Sequence, residues 1–504
     1  MNPFIFEEKR PVVETRKGKL RGITYGDVNI FMGIEYAHAR RFHMPEEVEP
    51  WEGIKNAYQH GPVAMQVNEV RPFFYYRGLH MLETQSEDCQ NLNIWAPKTE
   101  NGARKPVFVW IHGGGFFGGN AFEEISFDGF RMAHDGDVVF VSINHRLNVV
   151  GYLNLEDYGE EFANSANVGL FDLVVAMKWI HENIAAFGGD PDNVTICGHS
   201  GGGGKVQCLL QLEEVAHTFQ RAICLSGARA NTGSPCDTRE NSRKTAKAMM
   251  DELGITKQNV EKLYELPYRA IADACIKVAN PYIFSPVPND YFPGFPALTK
   301  LMPFSKDKPV LYSSTLGEFP ICPLTAEEKE AMSEEEKIAW LRERLGDRTD
   351  RLIELFRKAY PDHDPFDLAY LDSRCRIAAV RSAQAHLEAG CENVYLCLAS
   401  YTVPENGRIP IWHGGEVAYI FMNEDKVLVL NDAENGQKYA RTLSGMVLNF
   451  VKNGDPNCEY LPKWEKVRKN ETWTMLIDRE CRCVCNHDEE LMELYHPVAP
   501  QFSL

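Results

Sequence analysis

The chain has 504 residues, 44% hydrophobic and 25% charged, which is ordinary composition for a globular protein with a substantial core. With 71 acidic and 53 basic residues its formal net charge is −18, which disfavours nucleic acids, anionic membranes and polyanionic substrates as partners. The sequence shows neither a secretion-signal pattern nor an apolar run of about 18 residues, so we expect a cytoplasmic protein that does not span a membrane.

Six short apolar runs predict buried strands. They are continuous and not alternating, as in parallel strands covered on both faces. In chain order they lie at 105–112, 137–144, 193–198, 221–227, 308–315 and 393–401. Helical patterns separate them, the clearest at 169–189, where a closing glycine pair suits a C-cap. This alternation predicts an α/β fold with a central, mostly parallel sheet flanked by helices.

A charged helical run begins at 325–348 and predicts a cap-type helical insertion at around 320–390. We find no internal repeat, low-complexity linker or shift in composition that would divide the chain. The sequence therefore predicts a single domain over residues 1–504, with the insertion as part of it.

The first functional motif in chain order is the stretch "WIHGGGFFGG" at 110–119, directly after a predicted strand. Glycines let backbone N–H groups approach a developing oxyanion with no side chain in the way. The stretch also matches G-x-G-x-x-G, the pattern of a dinucleotide site. That site needs an acidic residue at the end of the next strand, where this chain has "NHR" at 144–146. Phe116 and Phe117 are also too bulky beside a pyrophosphate, so we favour an oxyanion-binding loop.

The second motif is "TICGHSGGGGKV" at 195–206, which two chemistries could use. A P-loop would need glycine at the position of His199 and a hydroxyl residue at that of Val206, so both ends fail. The stretch does satisfy G-x-S-x-G at 198–202. This pattern places Ser200 on a sharp turn between a strand and a helix, where its hydroxyl can act as a nucleophile.

A nucleophilic serine needs a base, and the base needs a carboxylate that holds its tautomer. In folds with this turn the order along the chain is serine, acid, histidine, each on a loop after a strand. Glu318 follows the predicted strand at 308–315, and His413 follows the one at 393–401. Taken alone, either residue could instead be a solvated loop residue or a packing residue.

The 14 cysteines are mostly scattered singly through apolar stretches, which predicts free, buried thiols. The exception is "CRCVC" at 481–485, where the alternation puts three sulfurs on one face of a predicted strand. A metal site is one alternative there. Zinc frameworks favour C-x-x-C pairs, however, so we favour a core-facing structural role.

Taken together, these motifs resemble the type-B carboxylesterases, a family that includes bacterial p-nitrobenzyl esterases and, more distantly, cholinesterases. The resemblance runs nearly end to end, through "GKLRG", "FMGIEYA", "SEDCQNLNIWAP", "VSINHRLNVVGYL", "FQRAICLSG" and "IWHGGEVAYIF" as well as both glycine motifs. It implies an α/β-hydrolase fold with helical insertions over the active site. It also implies a nucleophile at Ser200, an acid at Glu318, a base at His413, and oxyanion N–H donors at Gly114, Gly115 and Gly201.

The chain departs from this family in several places. His199 stands where the family usually has glutamate, and "GEF" at 317–319 replaces a sequence like "DEG". Ala64 occupies the position of a cysteine that exported members pair with the equivalent of Cys89, so Cys89 is expected to be free. No tryptophan follows Met65 where a quaternary ammonium would stack, which argues against choline esters as substrates.

The resemblance further implies two ion pairs, Arg146 with Asp172 and Arg41 with Glu87. Candidate substrate-pocket residues are Phe116, Phe117, His199, Tyr282, Phe284 and the aromatic run at 73–76.

We therefore expect a serine carboxylic-ester hydrolase for neutral short-chain, medium-chain or aryl esters, working through an acyl-enzyme without metal or cofactor. Its expected partner is a small-molecule ester, and the sequence leaves monomer and dimer open. Two alternatives remain: a non-catalytic, cholinesterase-like binding protein, and an acyltransferase that uses the same triad.

Overall fold

A computed structural model of the chain describes residues 10–67, 83–99, 102–229, 238–279, 284–319, 322–404, 408–433 and 435–499. The strands in these ranges are β1 Val12–Glu14, β2 Lys19–Arg21, β3 Ile23–Tyr25, β4 Val28–Glu35, β5 Ala37–His38, β6 Glu46–Glu47, β7 Ile54–Asn56, β8 Val63–Ala64, β9 Gln85–Ser86, β10 Asn91–Pro97, β11 Lys105–Ile111, β12 Val139–Ile143, β13 Gly189–His199, β14 Arg221–Leu225, β15 Val310–Thr315, β16 Val394–Ala399, β17 Thr402–Val403, β18 Ile409–Pro410, β19 Trp473–Ile477 and β20 Arg482–Cys485. The α-helices are α1 Phe130–His134, α2 Asn148–Tyr152, α3 Val168–Asn183, α4 Gly201–Leu209, α5 Arg239–Glu252, α6 Tyr268–Val278, α7 Ala326–Ala331, α8 Glu334–Leu345, α9 Thr349–Ala359, α10 Arg374–Glu388, α11 Gly415–Ile420, α12 Gly436–Asn453 and α13 Glu489–Tyr495.

The central feature is an eleven-stranded sheet in the order β20-β19-β16-β15-β14-β13-β11-β12-β10-β4-β3. The strands from β12 across to β19 run parallel. β20 lies antiparallel at one edge, and β10, β4 and β3 are antiparallel at the other. The six predicted strands correspond to β11–β16, so the predicted mostly parallel sheet is confirmed.

Both faces of the central strands of this sheet are buried, which explains why those strands are continuously apolar. Along β11, Val107, Val109 and Ile111 enter one hydrophobic core, which also contains most of α3. The alternate residues Phe108 and Trp110 enter a second core, built with α11 and α12. Side chains of period two thus feed two largely apolar cores, and buried polar residues of these strands, such as Ser142 and Thr195, form hydrogen bonds.

The helix predicted at 169–189 is α3, which runs from Val168 to Asn183 and continues as a 3-10 turn to Phe187. Gly188 then adopts a left-handed conformation, with φ of 84°, and ends the helix as its glycine pair predicted.

The charged region also forms helices, α7 to α10, between Ala326 and Glu388. α7 and α8 each begin with a capping box, in which Thr325 and Ser333 exchange hydrogen bonds with the glutamate three residues later. The core beneath α8 and α9 includes Leu316 and Leu398, which lie at the ends of the sheet strands. The helical region therefore packs onto the sheet at the edge where β15 and β16 end.

Among the described residues, none of the helices combines the length and the apolar character needed to cross a bilayer.

Candidate active site

Ser200 lies on a strained turn between β13 and α4. Its φ of 55° and ψ of −124° are unfavourable for a residue with a side chain, and the close packing around it maintains them. A Cβ built at Gly202 would lie 2.0 Å from the carbonyl oxygen of Ile111, and one at Gly227 would lie 2.0 Å from that of Ser200. The glycines are therefore required for space. Ser200 remains half-exposed, although every residue of α4 behind it is buried.

Glu318 and His413 form a buried pair. His413 Nδ1 lies 2.5 Å from Oε2 of Glu318, and the two residues are 4% and 0% exposed. The other carboxylate oxygen, Oε1, accepts hydrogen bonds from the hydroxyl of Ser226 at 2.6 Å and the backbone N–H of Thr315 at 2.7 Å. Because both oxygens of Glu318 are held, the carboxylate fixes the orientation and the tautomer of the imidazole.

His199 connects the serine turn to this pair. Its ring centroid lies 4.4 Å from that of His413, and a Cβ at Gly414 would come within 3.0 Å of its Cε1 atom. Burial, together with the neighbouring His413, holds the pKa of His199 well below its usual value. His199 is therefore neutral, at the position where the family usually has a glutamate.

The three predicted oxyanion glycines lie together. Gly114 and Gly115 have φ of 82° and 61°, which residues with a side chain rarely adopt. A Cβ at Gly201 would lie 2.2 Å from the carbonyl oxygen of Gly115, so α4 begins directly against the glycine loop. Within the described part of the chain, the N–H groups of Gly114 and Gly115 donate to no protein acceptor. They are thus available to a substrate oxygen.

Lys205, in α4, supports this loop from beneath. Its side chain is fully buried, and Nζ donates to the carbonyl oxygen of His112 at 3.1 Å. Burial lowers the pKa of Lys205 to about 7. Sequence reasoning had considered this lysine only as part of a rejected P-loop, because no local pattern links it to His112, 93 residues away.

Two further buried acids surround Glu318. Glu416 Oε1 lies 3.5 Å from the hydroxyl of Ser226, which also holds Glu318. Burial and the charge of Glu318 raise the pKa of Glu416 to about 8 and that of Asp372 to about 6. Sequence reasoning missed both acids. Glu416 stands only three positions after His413, and this spacing was the available signal.

A cavity opens beside the imidazoles of His199 and His413. Its other lining residues are Gly113, Gly114, Glu123, Glu124, Ser126, Phe127, Trp412, Gly414, Gly415, Val417, Ala418, Val427 and Leu430. Burial raises the pKa of Glu124 to about 8, so this acid is largely protonated at neutral pH. The cavity wall thus combines apolar side chains with polar groups, of which His199 and Glu124 are largely neutral.

The remaining predicted pocket residues lie elsewhere. Phe116 is fully buried in the core, where its ring packs against Tyr152 and Phe295. Phe284 also belongs to this core, and Phe117 is half-buried after the glycine loop. Tyr282 and the run at 73–76 lie outside the described residues. Of the predicted pocket residues that the structure describes, His199 is the one that lines the cavity described above.

Both predicted ion pairs are confirmed. The guanidinium of Arg146 donates to the two carboxylate oxygens of Asp172 at 2.7 and 2.9 Å, and both side chains are buried. Arg41 contacts both oxygens of Glu87, one of them at 2.7 Å through Nε. These pairs tie the segments around the glycine loop to the core.

All the described cysteines are free, as predicted, and most of the singly scattered ones are buried, whereas Cys322, Cys375 and Cys458 are only partly buried. Cys89 is free and buried, beside Ala64. Within the stretch at 481–485, residues 482–485 form the edge strand β20. Cys481 and Cys483 pack partly buried against the second core, whereas Cys485 is partly exposed and does not join it.

Comparison with known proteins places this site in a family. The model of the carboxylesterase family matches residues 9–493. A para-nitrobenzyl esterase of Bacillus subtilis (strain 168) is 30% identical over 93% of this chain and 95% of its own length. A phenmedipham hydrolase of Pseudarthrobacter oxydans is 29% identical over 94% of this chain and 96% of its own length.

Solved structures agree. An esterase from anaerobic Clostridium hathewayi, described as able to hydrolyse aliphatic aromatic polyesters, is 38% identical, with a TM-score of 0.91 over 98% of this chain and 99% of that one. A Geobacillus stearothermophilus carboxylesterase is 30% identical, with a TM-score of 0.76 over 96% of this chain and 100% of that one. The chain belongs to the carboxylesterase family, whose members have the α/β-hydrolase fold and hydrolyse carboxylic esters.

Proposed function

We propose that this carboxylic-ester hydrolase uses Ser200 as nucleophile, His413 as base and Glu318 as the acid that orients the base. The observation that supports this most directly is the buried Glu318–His413 pair, whose carboxylate is held on both oxygens. It lies beside the strained turn of Ser200, to which His199 connects it. A fixed acid–imidazole pair beside a partly exposed, strained serine is what acyl transfer requires.

In the first half of the reaction, Ser200 Oγ attacks the ester carbonyl while His413 Nε2 takes its proton. The N–H groups of Gly114, Gly115 and Gly201 stabilise the resulting oxyanion, because they are already oriented and need no reorganisation. His413 then donates the proton to the departing alcohol. Water attacks the acyl-enzyme by the same route, which restores Ser200 and releases the acid.

For the substrate, we propose neutral esters with short or medium acyl chains, or with an aryl group. The cavity beside His413 supports this proposal, because apolar residues make up much of its wall, and His199 and Glu124, which also line it, bear little charge near neutral pH. Two relatives are named for esters that contain aromatic groups, the para-nitrobenzyl esterase and the esterase described as able to hydrolyse aliphatic aromatic polyesters, and this agrees with an aromatic group in the substrate.

We also propose that residues 1–504 act as one catalytic domain with a helical cap at around 320–390, and that the protein works in the cytoplasm as a monomer or dimer. Free thiols at all the described cysteines support a reducing location. The reaction as proposed uses no cofactor.

The test is hydrolysis of p-nitrophenyl esters by purified variants. Ser200→Ala should lose turnover by on the order of 10⁴-fold and Glu318→Gln by at least about 100-fold, since triad members act as a unit. Ser333→Ala, at an exposed helix cap, is the control and should remain as active as the unmodified protein. Near-normal turnover by Ser200→Ala would exclude this mechanism.

The same assay separates the two alternatives. A non-catalytic binding protein would show no turnover that depends on Ser200. An acyltransferase would form a new ester when a second alcohol is added, at the expense of the free acid. We expect the free acid to remain the main product.

A further inference from the structure

A thiol lies against the acid–base pair of the proposed catalytic site. Cys375 is the second residue of α10 and is half-buried, and its Sγ atom lies 3.9 Å from the carbonyl oxygen of Ser226. One ligand atom each from Cys375, Glu318 and His413 lies within 4.8 Å of the other two. Across the ranges that the structure describes, this is the one cluster of three such residues with that spacing.

These three side chains are a zinc-binding set. Thiolate, imidazole and carboxylate are the ligands that Zn²⁺ takes in proteins, with bonds of about 2.0–2.3 Å. Ligand atoms of a tetrahedral site then lie about 3.3–3.8 Å apart, so the cluster would need adjustments of about 1 Å or less. Three protein ligands leave the fourth position to water.

The electrostatic surroundings favour a cation at this point. Glu416 and Asp372 are buried acids, and Glu416 Oε1 lies 3.5 Å from the hydroxyl of Ser226, which donates to Glu318. Arg374 contacts Asp372 at 3.5 Å, but its side chain is 42% exposed. A divalent cation at this point would therefore have acidic side chains close by on more than one side.

We propose that Cys375, Glu318 and His413 form an inhibitory site for a thiophilic divalent cation such as Zn²⁺. The cation takes Sγ of Cys375, Oε2 of Glu318 and Nδ1 of His413. The thiol proton passes to solvent, and the single proton of the neutral imidazole moves from Nδ1 to Nε2. The hydrogen bond between Glu318 and His413 is lost and Nε2 is already protonated, so His413 can no longer accept the proton of Ser200. The inhibitory effect rests on the proposed function of His413, whereas metal binding does not.

The experiment measures metal binding and turnover on the same samples. The full-length protein is dialysed against Zn²⁺, its zinc content is determined, and ester hydrolysis is followed before and after addition of a chelator. Cys375→Ser and Cys375→Ala are compared with Cys322→Ser, a matched control because Cys322 is also a free, half-buried thiol. Rates are normalised to the metal-free rate of each variant, and thermal unfolding confirms that each is folded.

We expect one equivalent of zinc and chelator-reversible inhibition in the unmodified protein and in Cys322→Ser. Both Cys375 variants should bind and be inhibited at least about 30-fold more weakly, the equivalent of roughly 2 kcal/mol. Co²⁺ in place of Zn²⁺ should give a thiolate-to-cobalt absorption band that both Cys375 variants lack.

Equal zinc affinity with and without Cys375, or no cobalt–thiolate band in the unmodified protein, would overturn the site. Zinc bound through Cys375 without loss of turnover would overturn its inhibitory role. If the metal-free protein hydrolysed no ester, the proposed function would fail, while the zinc content and the cobalt band would still decide whether the site exists.

Discussion

At the scale of single residues, His199 is the departure from the family's usual sequence that has the clearest consequence. It is neutral and its ring packs against that of His413. In His199→Glu a carboxylate would lie beside the base and favour the protonated imidazole. We expect the acid limb of the kcat/KM profile to shift to higher pH by about one unit, measured with a non-ionising ester.

His199→Gln is the matched control, because it fills a similar space without charge. Its profile should keep the midpoint of the unmodified protein. A shift of equal size in both variants would mean that packing, and not charge, sets the effect.

Lys205 gives a second prediction at this scale. Its pKa is lowered to about 7 by burial, from a usual value of 10.5. Between pH values of about 7 and 10.5, Lys205 is protonated in the unfolded chain but neutral in the folded protein, so the free energy of unfolding rises with pH in this range. At lower pH the folded protein must bury the charged ammonium group, which destabilises it. In Lys205→Met this cost is removed, but the His112 carbonyl loses its donor.

We therefore expect Lys205→Met to have a Tm about 1–2 °C higher than the unmodified protein at mildly acidic pH, together with a lower kcat. Differential scanning calorimetry and steady-state kinetics measure the two effects. A variant with unchanged kcat would show that the glycine loop does not depend on Lys205.

At the scale of secondary-structure elements, His363 ties the helical region to the sheet. It lies between Asp367, at 3.0 Å, and Asp478, just after β19, at 2.9 Å. Burial alone would lower its pKa, but the hydrogen bonds to Asp367 and Asp478 outweigh this and raise the pKa of His363 to about 9. Protonated His363 therefore stabilises the fold. This stabilisation is complete below pH 6.5, the pKa of the histidine in the unfolded chain, and is lost as the pH rises through about 9.

His363→Gln should accordingly lower the Tm most at mildly acidic pH and progressively less above neutrality. The control is His134→Gln, since His134 also contacts an aspartate, Asp27 at 2.5 Å, but is nearly half exposed. We expect little change in that variant. A constant loss of Tm across the pH range in His363→Gln would contradict the role of its protonation.

How far the sequence predicts these elements depends on where their contacts lie. β11 to β16 were predictable because both faces of each strand are buried, whereas β19 has only five residues between charged segments. Ser200, Glu318 and His413 follow from the order of their motifs along the chain. Ser226 and Lys205 do not, because their partners, Glu318 and His112, are 92 and 93 residues away and meet them only in the folded protein.

At the scale of the whole molecule, the net charge of −18 makes a prediction about substrates. The negative electrostatic field of the protein should slow the association of esters that carry a carboxylate, relative to neutral esters of the same shape. Added salt should narrow the difference by screening. Matched pairs of neutral and anionic esters, assayed at low and high ionic strength, measure this through kcat/KM.

The opposite result has a specific meaning. Arg229 lies near Phe116 and Phe295, while Arg71 and Arg77 fall outside the described residues. If the anionic ester reacted faster and salt slowed it, local arginines and not the net charge would govern entry.

The central claim, that Ser200 carries the acyl group, is tested most directly by trapping the acyl-enzyme. The protein is mixed with p-nitrophenyl acetate, quenched with acid within the first turnover, and analysed by intact mass and peptide mapping. We predict one acetyl group per chain, on the peptide that contains Ser200, and none in Ser200→Ala. An acetyl group on a different residue, or an equal burst of p-nitrophenol from Ser200→Ala, would contradict the claim.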